Sequence, residues 1–200
     1  MQDNSEENFA LRTLKKSYQQ RKLHSVGARK KHLLKLRRGL VEMKKEMEDA
    51  LYQDLYRCTY FTNLSETGAC LFFLDHHLKN IDNYAKEVHS DPYLIFAPAQ
   101  AKIRYEPLGV ALIIGSWNYP YFNLIKPLIT CITAGNCAVI KPSEFGTASS
   151  KVLQKLFDNY MDPECFRVIL GETEVAQKLN DLPFDIICFT GSTRVGKIVA

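Results

Sequence analysis

Between residues 109 and 191 the chain alternates short apolar runs with longer amphipathic ones. "GVALIIG" (109–115), "CAVIKP" (137–142), "FRVILG" (166–171) and "FDIICFTG" (184–191) have the length and composition of strands. Continuous apolar runs of this kind suit strands covered on both faces, as in a parallel sheet. Between them, "FNLIKPLITCITA" (122–134), "TASSKVLQKLFDNY" (147–160) and "TEVAQKLN" (173–180) read as helices, with Pro127 expected to bend or interrupt the first. Val152, Leu153, Leu156, Phe157 and Tyr160 line one side of the second. Strands alternating with helices mean βαβ units. The expected class is therefore α/β, a Rossmann-like doubly wound parallel sheet with helices on both faces. In such sheets ligands gather beyond the carboxyl ends of the strands.

The region before residue 107 has a different rhythm. Leu33, Leu36, Leu40, Met43, Met47, Leu51 and Leu55 recur at steps of three and four, predicting helix from residue 5 to about 58, with a break expected near Gly27. A further helix is expected over about 64–88, with Ser65 as its N-cap and "ACLFFLDHHLKNI" as its buried side. His76 and His77 point about 100° apart on a helix, so they make poor partners on one metal. "YLIFAP" and "AKIRYEP" are short and extended and predict a strand pair. The expected division is a helical segment over 1–90, a strand pair over 91–106 and a cofactor domain over 107–200.

Composition excludes several classes. Hydrophobic residues make up 46% and charged ones 24% of the 200 residues, which is ordinary for a globular protein. Of the net charge of +4, residues 11–50 alone hold 13 Lys/Arg against 4 Asp/Glu. Without interleaved aromatics this reads as a solvated helix face, not a nucleic-acid surface. The six cysteines form no C-x-x-C pair, so zinc-site spacing is absent and no metal is expected. Cysteines inside apolar runs, and no secretory signal, fit a reducing, cytoplasmic setting.

The polar residues concentrate at the strand ends. Asn118, in "IIGSWNYP", offers two uncharged N–H donors that suit an oxyanion on a carbonyl substrate; its plainer role is a turn cap. Lys141 and Glu144, in "KPSE", could bracket a ribose or form a surface ion pair. Gly191 to Lys197, "GSTRVGK", nearly matches the P-loop pattern, but Ile198 stands where Ser or Thr would hold Mg²⁺. A glycine turn opening a helix presents free N–H groups to a phosphate, though an ordinary helix capped by Ser192 or Thr193 reads the same way.

Three motifs in this order carry a resemblance. "EPLGVALIIGSWNYP", "AGNCAVIKPSE" and "FTGSTRVGK" resemble the aldehyde dehydrogenase superfamily, and "SWNYP" resembles its class 3 branch. The resemblance is strong over about 105–200 and implies an incomplete aldehyde dehydrogenase fold. It implies a domain that binds NAD or NADP without a G-x-G-x-x-G turn. Asn118 would take the oxyanion role. Ile114, Gly115, Ser116 and Trp117 would line the cofactor cleft, and Lys141 and Glu144 would contact the adenosine ribose. Gly191, Ser192, Thr193, Arg194, Val195 and Gly196 would lie at the pyrophosphate, with Lys197 on the helix surface.

The implied activity is oxidation of aldehydes to carboxylic acids. The family's nucleophilic cysteine and its general-base glutamate have no matching motif here and are expected beyond Ala200, as "GKIVA" stops a turn or so into a helix. This chain alone is then expected to be inactive. The alternative is a naturally short, inactive dinucleotide-binding module. The resemblance further implies an aldehyde substrate, a homodimer built through the strands near 93–105, and in some class 3 members a membrane-anchoring tail.

Overall fold

The computed structural model describes residues 5–200. The expected N-terminal helix is three helices: α1 (Glu6–Gln19), α2 (Val26–Glu42) and α3 (Lys44–Leu55). The first break is not at Gly27, which lies in the first turn of α2. The break comes earlier: Arg21 takes a left-handed φ of 58°, and Ser25 caps α2 by accepting from the Ala28 amide at 3.2 Å. Leu33, Leu36 and Leu40 of α2 and Met47 and Leu51 of α3 are fully buried. Each contributes roughly 1.5–3 kcal/mol of transfer free energy.

After α3 the chain runs through α4 (Thr59–Thr62), a π-helical turn (Asn63–Thr67) and α5 (Gly68–Tyr84). Ser65 is no N-cap; it lies within the π turn, and its Oγ donates to the Phe61 carbonyl at 2.7 Å. His77 is buried against Phe73, and His76 contacts Tyr84, so the two histidines take separate structural roles.

A strand pair exists, but with a different first strand. β1 (Val88–Ser90) pairs antiparallel with β2 (Ala101–Ile103), Val88 opposite Ile103. "YLIFAP" is no strand: Leu94–Phe96 form one exposed 3-10 turn. Pro92 and Pro98 flank it, and neither has an N–H to give a ladder.

The second half follows the predicted order: β3 (Val110–Ile114), α6 (Phe122–Ala134), β4 (Cys137–Lys141), α7 (Thr147–Tyr160), β5 (Phe166–Val168), α8 (Thr173–Asn180), β6 (Ile186–Phe189) and α9 (Thr193–Val199). α6 runs unbroken through Pro127. It ends at Gly135, whose φ of 92° suits glycine and whose amide donates to the Cys131 carbonyl at 3.0 Å. A Cβ there would also lie 2.8 Å from the buried Arg29 guanidinium.

The four strands are parallel in the order β5-β4-β3-β6. The chain winds outward from β3 through β4 to β5, then crosses back to place β6 on the other side of β3. Right-handed crossovers therefore put α6 and α7 on one face and α8 on the other. α1 joins α8, while α2, α3 and α5 cover α6 and α7. The reversal of strand order falls between β3 and β6, and their carboxyl ends form the topological switch point.

Candidate functional site

A cleft of about 450 Å³ opens at that switch point. Ser116, Trp117, Asn118, Tyr119 and Asn123 line one side, and Thr190, Gly191 and Ser192 the other. The first group follows β3 and the second follows β6. The two walls are joined where the Thr190 amide donates to the Ile114 carbonyl (2.9 Å), and the first is fixed to β4 where the Gly115 amide donates to the Lys141 carbonyl (3.2 Å). Gly115 is buried, and a Cβ on it would sit 2.6 Å from Leu124 Cδ2, so glycine lets the loop turn tightly over α6.

A hydrogen-bond relay orients Asn118. Asn123 Nδ2 donates to Ser116 Oγ at 2.8 Å, so the Ser116 hydroxyl points its own proton at Asn118 Oδ1, 2.6 Å away. In this network the Asn118 amide turns its oxygen to the serine and its nitrogen away from it. Its Nδ2 protons have no acceptor among the described residues and are available to the cleft.

The backbone of Asn118 is held from outside the sheet. Arg57, just past α3, donates from Nη2 to the Asn118 carbonyl at 2.5 Å, and its guanidinium lies 4.7 Å from the Tyr119 ring centroid. Its Nη1 pairs with Glu66 Oε1 at 2.7 Å. Glu66 is fully buried, and its other oxygen accepts from the amides of Tyr121 (3.0 Å) and Phe122 (2.8 Å) at the start of α6. Burial pushes the Glu66 carboxyl up to about 7, against the opposing pull of the Phe122 amide and Arg57. Sequence reading missed both residues. Glu66 lies on the buried stripe Thr62, Glu66, Cys70, Leu74. A carboxylate on an apolar stripe is a signal; its partner is not readable from spacing.

Lys141, the last residue of β4, is 2% exposed, and its Nζ donates to the Pro142 carbonyl at 2.7 Å. Burial lowers its pKa, and Glu144 partly restores it. An ammonium has three donors, so two remain for a ligand. Glu144 is exposed, and its Oε1 accepts from Thr173 Oγ1 at 3.4 Å. Lys141 and Glu144 do not line the 450 Å³ cleft itself; they stand at the neighbouring end of β4. Asp54 was also missed. It caps α7 from the end of α3, accepting from the amides of Ala148 (3.0 Å) and Ser149 (2.8 Å).

Beyond β6, Ser192 caps α9 and accepts from the Val195 amide at 3.3 Å. The amides of Thr193 and Arg194 fall in the first turn, where a helix offers no internal acceptor. Lys197 is exposed on the helix, as expected of a surface residue.

Fold and cleft together define an α/β protein with a cleft at the switch point of a doubly wound parallel sheet. The chain belongs to the aldehyde dehydrogenase family: the family profile described as "Aldehyde dehydrogenase family" matches residues 2–200. Aldehyde dehydrogenase family 3 member B3 of Mus musculus is 40% identical over 189 residues, covering 94% of this chain and 40% of that protein. The beta-apo-4'-carotenal oxygenase of Gibberella fujikuroi is 36% identical over 191 residues, covering 94% and 35%. A solved structure described as the substrate bound state of Staphylococcus aureus AldH superposes with a TM-score of 0.94 at 34% identity, covering 96% of this chain and 42% of that one. The chain thus spans about 40% of the length of these curated relatives. Among the described residues no helix is long and apolar enough to cross a membrane.

Proposed function

We infer that the protein carrying this chain oxidises aldehydes to carboxylic acids, and that these residues supply the NAD(P)-binding side of its active site and one oxyanion donor. The observation that carries the reading is the relay from Asn123 through Ser116 to Asn118, which leaves the Asn118 Nδ2 donors available at the switch-point cleft. Amide donors fixed before the reaction stabilise a charge that appears only in the transition state.

The residues present fit a dinucleotide. Lys141 keeps two unused donors at a buried position, and Glu144 offers acceptors beside it, the pairing that ribose hydroxyls require. Ser116 and Trp117 line the cleft after β3, with Ile114 and Gly115 just beneath them at the strand end. Gly191 and Ser192 line it after β6, ahead of Thr193 to Gly196 in the first turn of α9, whose amides suit a pyrophosphate. A nicotinamide held there would supply the hydride acceptor for the oxidation. The part of this chain is to hold Asn118 so that, as a thiolate adds to the aldehyde carbon, the carbonyl oxygen gains its charge against Nδ2–H.

No cysteine or glutamate lines the cleft, so in this reading the thiol nucleophile and the base that activates water come from outside these residues. The test is aldehyde-dependent NADH or NADPH formation by the purified full-length protein, with short- and long-chain aldehydes. Dinucleotide binding without turnover of any aldehyde would leave the binding module and reject the oxidation. We also propose that the whole protein is a cytoplasmic homodimer, to be checked by its sedimentation and by fractionation of its source cells.

A further inference from the structure

At the end of the sheet away from the cleft, three side chains that can bind a metal converge. One imidazole nitrogen of His32, one carboxylate oxygen of Asp162 and the sulfur of Cys165 lie within 4.8 Å of one another. His32 comes from α2; the other two come from the turn between α7 and β5. That turn is well fixed, because the amides of Cys165 (3.0 Å) and Phe166 (2.9 Å) both donate to the Asp162 carbonyl. Cys165 Sγ already stands 3.9 Å from Asp162 Oδ2.

A fourth donor lies beside them. Ala138 pairs with Phe166, so Cys137 at the start of β4 and Cys165 just before β5 lie side by side, and the Ala138 amide donates to the Cys165 carbonyl at 3.1 Å. Their thiols are near enough for each to shift the other's titration.

A second observation points to a ligand. His32 is 9% exposed, and its Nδ1 has no hydrogen-bond partner among the described residues. Its ring packs edge-on against Phe166 at 5.4 Å. A buried polar atom left unmatched is costly, and coordination through the imidazole would give a ring nitrogen a partner. Lys22, one of the lysines around the site, is paired with Glu164. Asp162 is half-buried and gives a path for entry.

We propose that His32, Asp162, Cys165 and Cys137 form a structural site for a divalent metal of the zinc class. Two sulfurs with one nitrogen and one oxygen suit zinc and disfavour magnesium and calcium, which prefer oxygen alone. Tetrahedral zinc places its donor atoms about 3.3–3.8 Å apart. The donors of His32, Asp162 and Cys165, within 4.8 Å of one another, therefore have to contract by roughly 1 Å, and the Cys137 thiol, outside that group, has to turn in toward them. Binding forms metal–sulfur bonds and releases the thiol protons to solvent, with no change of oxidation state. The metal would pin α2 to the edge of the sheet. Positions 32, 137, 162 and 165 hold no short metal motif, which is why sequence spacing does not reveal the site.

The test uses the full-length protein, reduced with a phosphine and stripped of metal. Zn²⁺ is titrated against a chromophoric chelator, and Co²⁺ is read by its spectrum. The wild type is expected to bind one more equivalent than His32→Gln, and its cobalt form to show a thiolate charge-transfer band. Asp162→Asn and Cys165→Ser should weaken zinc binding tenfold or more. Zinc should raise the melting temperature of the wild type and not that of Cys165→Ser. Asp162→Asn, at a half-buried position, keeps the test open if a core variant fails to fold. Equal stoichiometry in wild type and His32→Gln, or a cobalt spectrum without the band, overturns the proposal. So does a reduced protein that takes up no metal while the untreated protein carries a Cys137–Cys165 disulfide, which would make the pair a redox couple.

Discussion

Arg57 and Glu66 form a buried ion pair, Nη1 to Oε1 at 2.7 Å, that ties the loop bearing Asn118 to the first turn of α6. The Glu66 carboxyl is raised from 4.5 to about 7, with burial the largest cause. Its folded pKa thus lies above its unfolded value, so its contribution to stability is full below about pH 4.5 and is lost as the pH rises through about 7. The change amounts to roughly 3 kcal/mol at most. Thermal melting between pH 5 and 8 is expected to show this decline, and Glu66→Gln to flatten it. Arg57→Met should steepen it, because the carboxylate would then ionise with no cation beside it, at a cost of about 3–5 kcal/mol at high pH. A wild-type melting temperature constant across this range would place the Glu66 titration elsewhere.

Asn118→Ala is expected to lower kcat of the full-length protein by roughly 10² to 10³ while leaving the dissociation constant for the cofactor nearly unchanged. Ser116→Ala removes only the group that orients the amide, so its effect should be smaller, about tenfold, and again on kcat. Steady-state rates with a single good aldehyde distinguish the two. If Ser116→Ala costs as much as Asn118→Ala, the serine acts directly and not through the asparagine.

Much of the fold is readable because its signals are local. The runs around Leu112, Val139 and Ile187 have strand length, and the periodicity of Leu153, Leu156 and Phe157 is helical; the structure places strands and helix there. Asn118, Ser116 and Gly191 are likewise each visible at a strand end, and the structure brings them to one cleft. The strand order was not readable, since β6 joins β3 across 75 residues of sequence, as the Val110 amide to Asp185 contact illustrates. The misplaced first strand has a local cause: "YLIF" has strand composition, but the prolines on either side deny it a ladder. Arg57, Glu66 and Asp54 escaped because each acts on backbone far along the chain, where sequence spacing carries no information.

Cofactor choice should depend on Glu144. If its carboxylate faces the adenosine ribose, it repels the 2′-phosphate of NADP⁺ while accepting from the 2′-hydroxyl of NAD⁺. Glu144→Gln removes the charge and keeps an acceptor. The ratio of kcat/KM for NADP⁺ to that for NAD⁺ is expected to rise about tenfold, the size of one screened charge–charge contact near a surface. The fold should be unaffected, since Glu144 is exposed and its contact with Thr173 is long, at 3.4 Å. An unchanged ratio would remove Glu144 from the ribose site.

Asp54 couples the helical layer to the start of α7, just after the loop that carries Glu144. α7 begins after Gly146, which has no side chain to cap it, so the Asp54 carboxylate supplies the acceptors for Ala148 and Ser149 and also accepts from Ser149 Oγ at 2.7 Å. A negative charge here also meets the positive end of the helix. Asp54→Ala is expected to cost about 1–2 kcal/mol, and Asp54→Asn about half of that, because the amide keeps one acceptor. The local effect is the stronger test. Hydrogen exchange at the amides of Ala148 and Ser149 should accelerate in Asp54→Ala while that of the β3 amides stays slow. A uniform loss of protection across the sheet would show that Asp54 supports global stability and not this helix start.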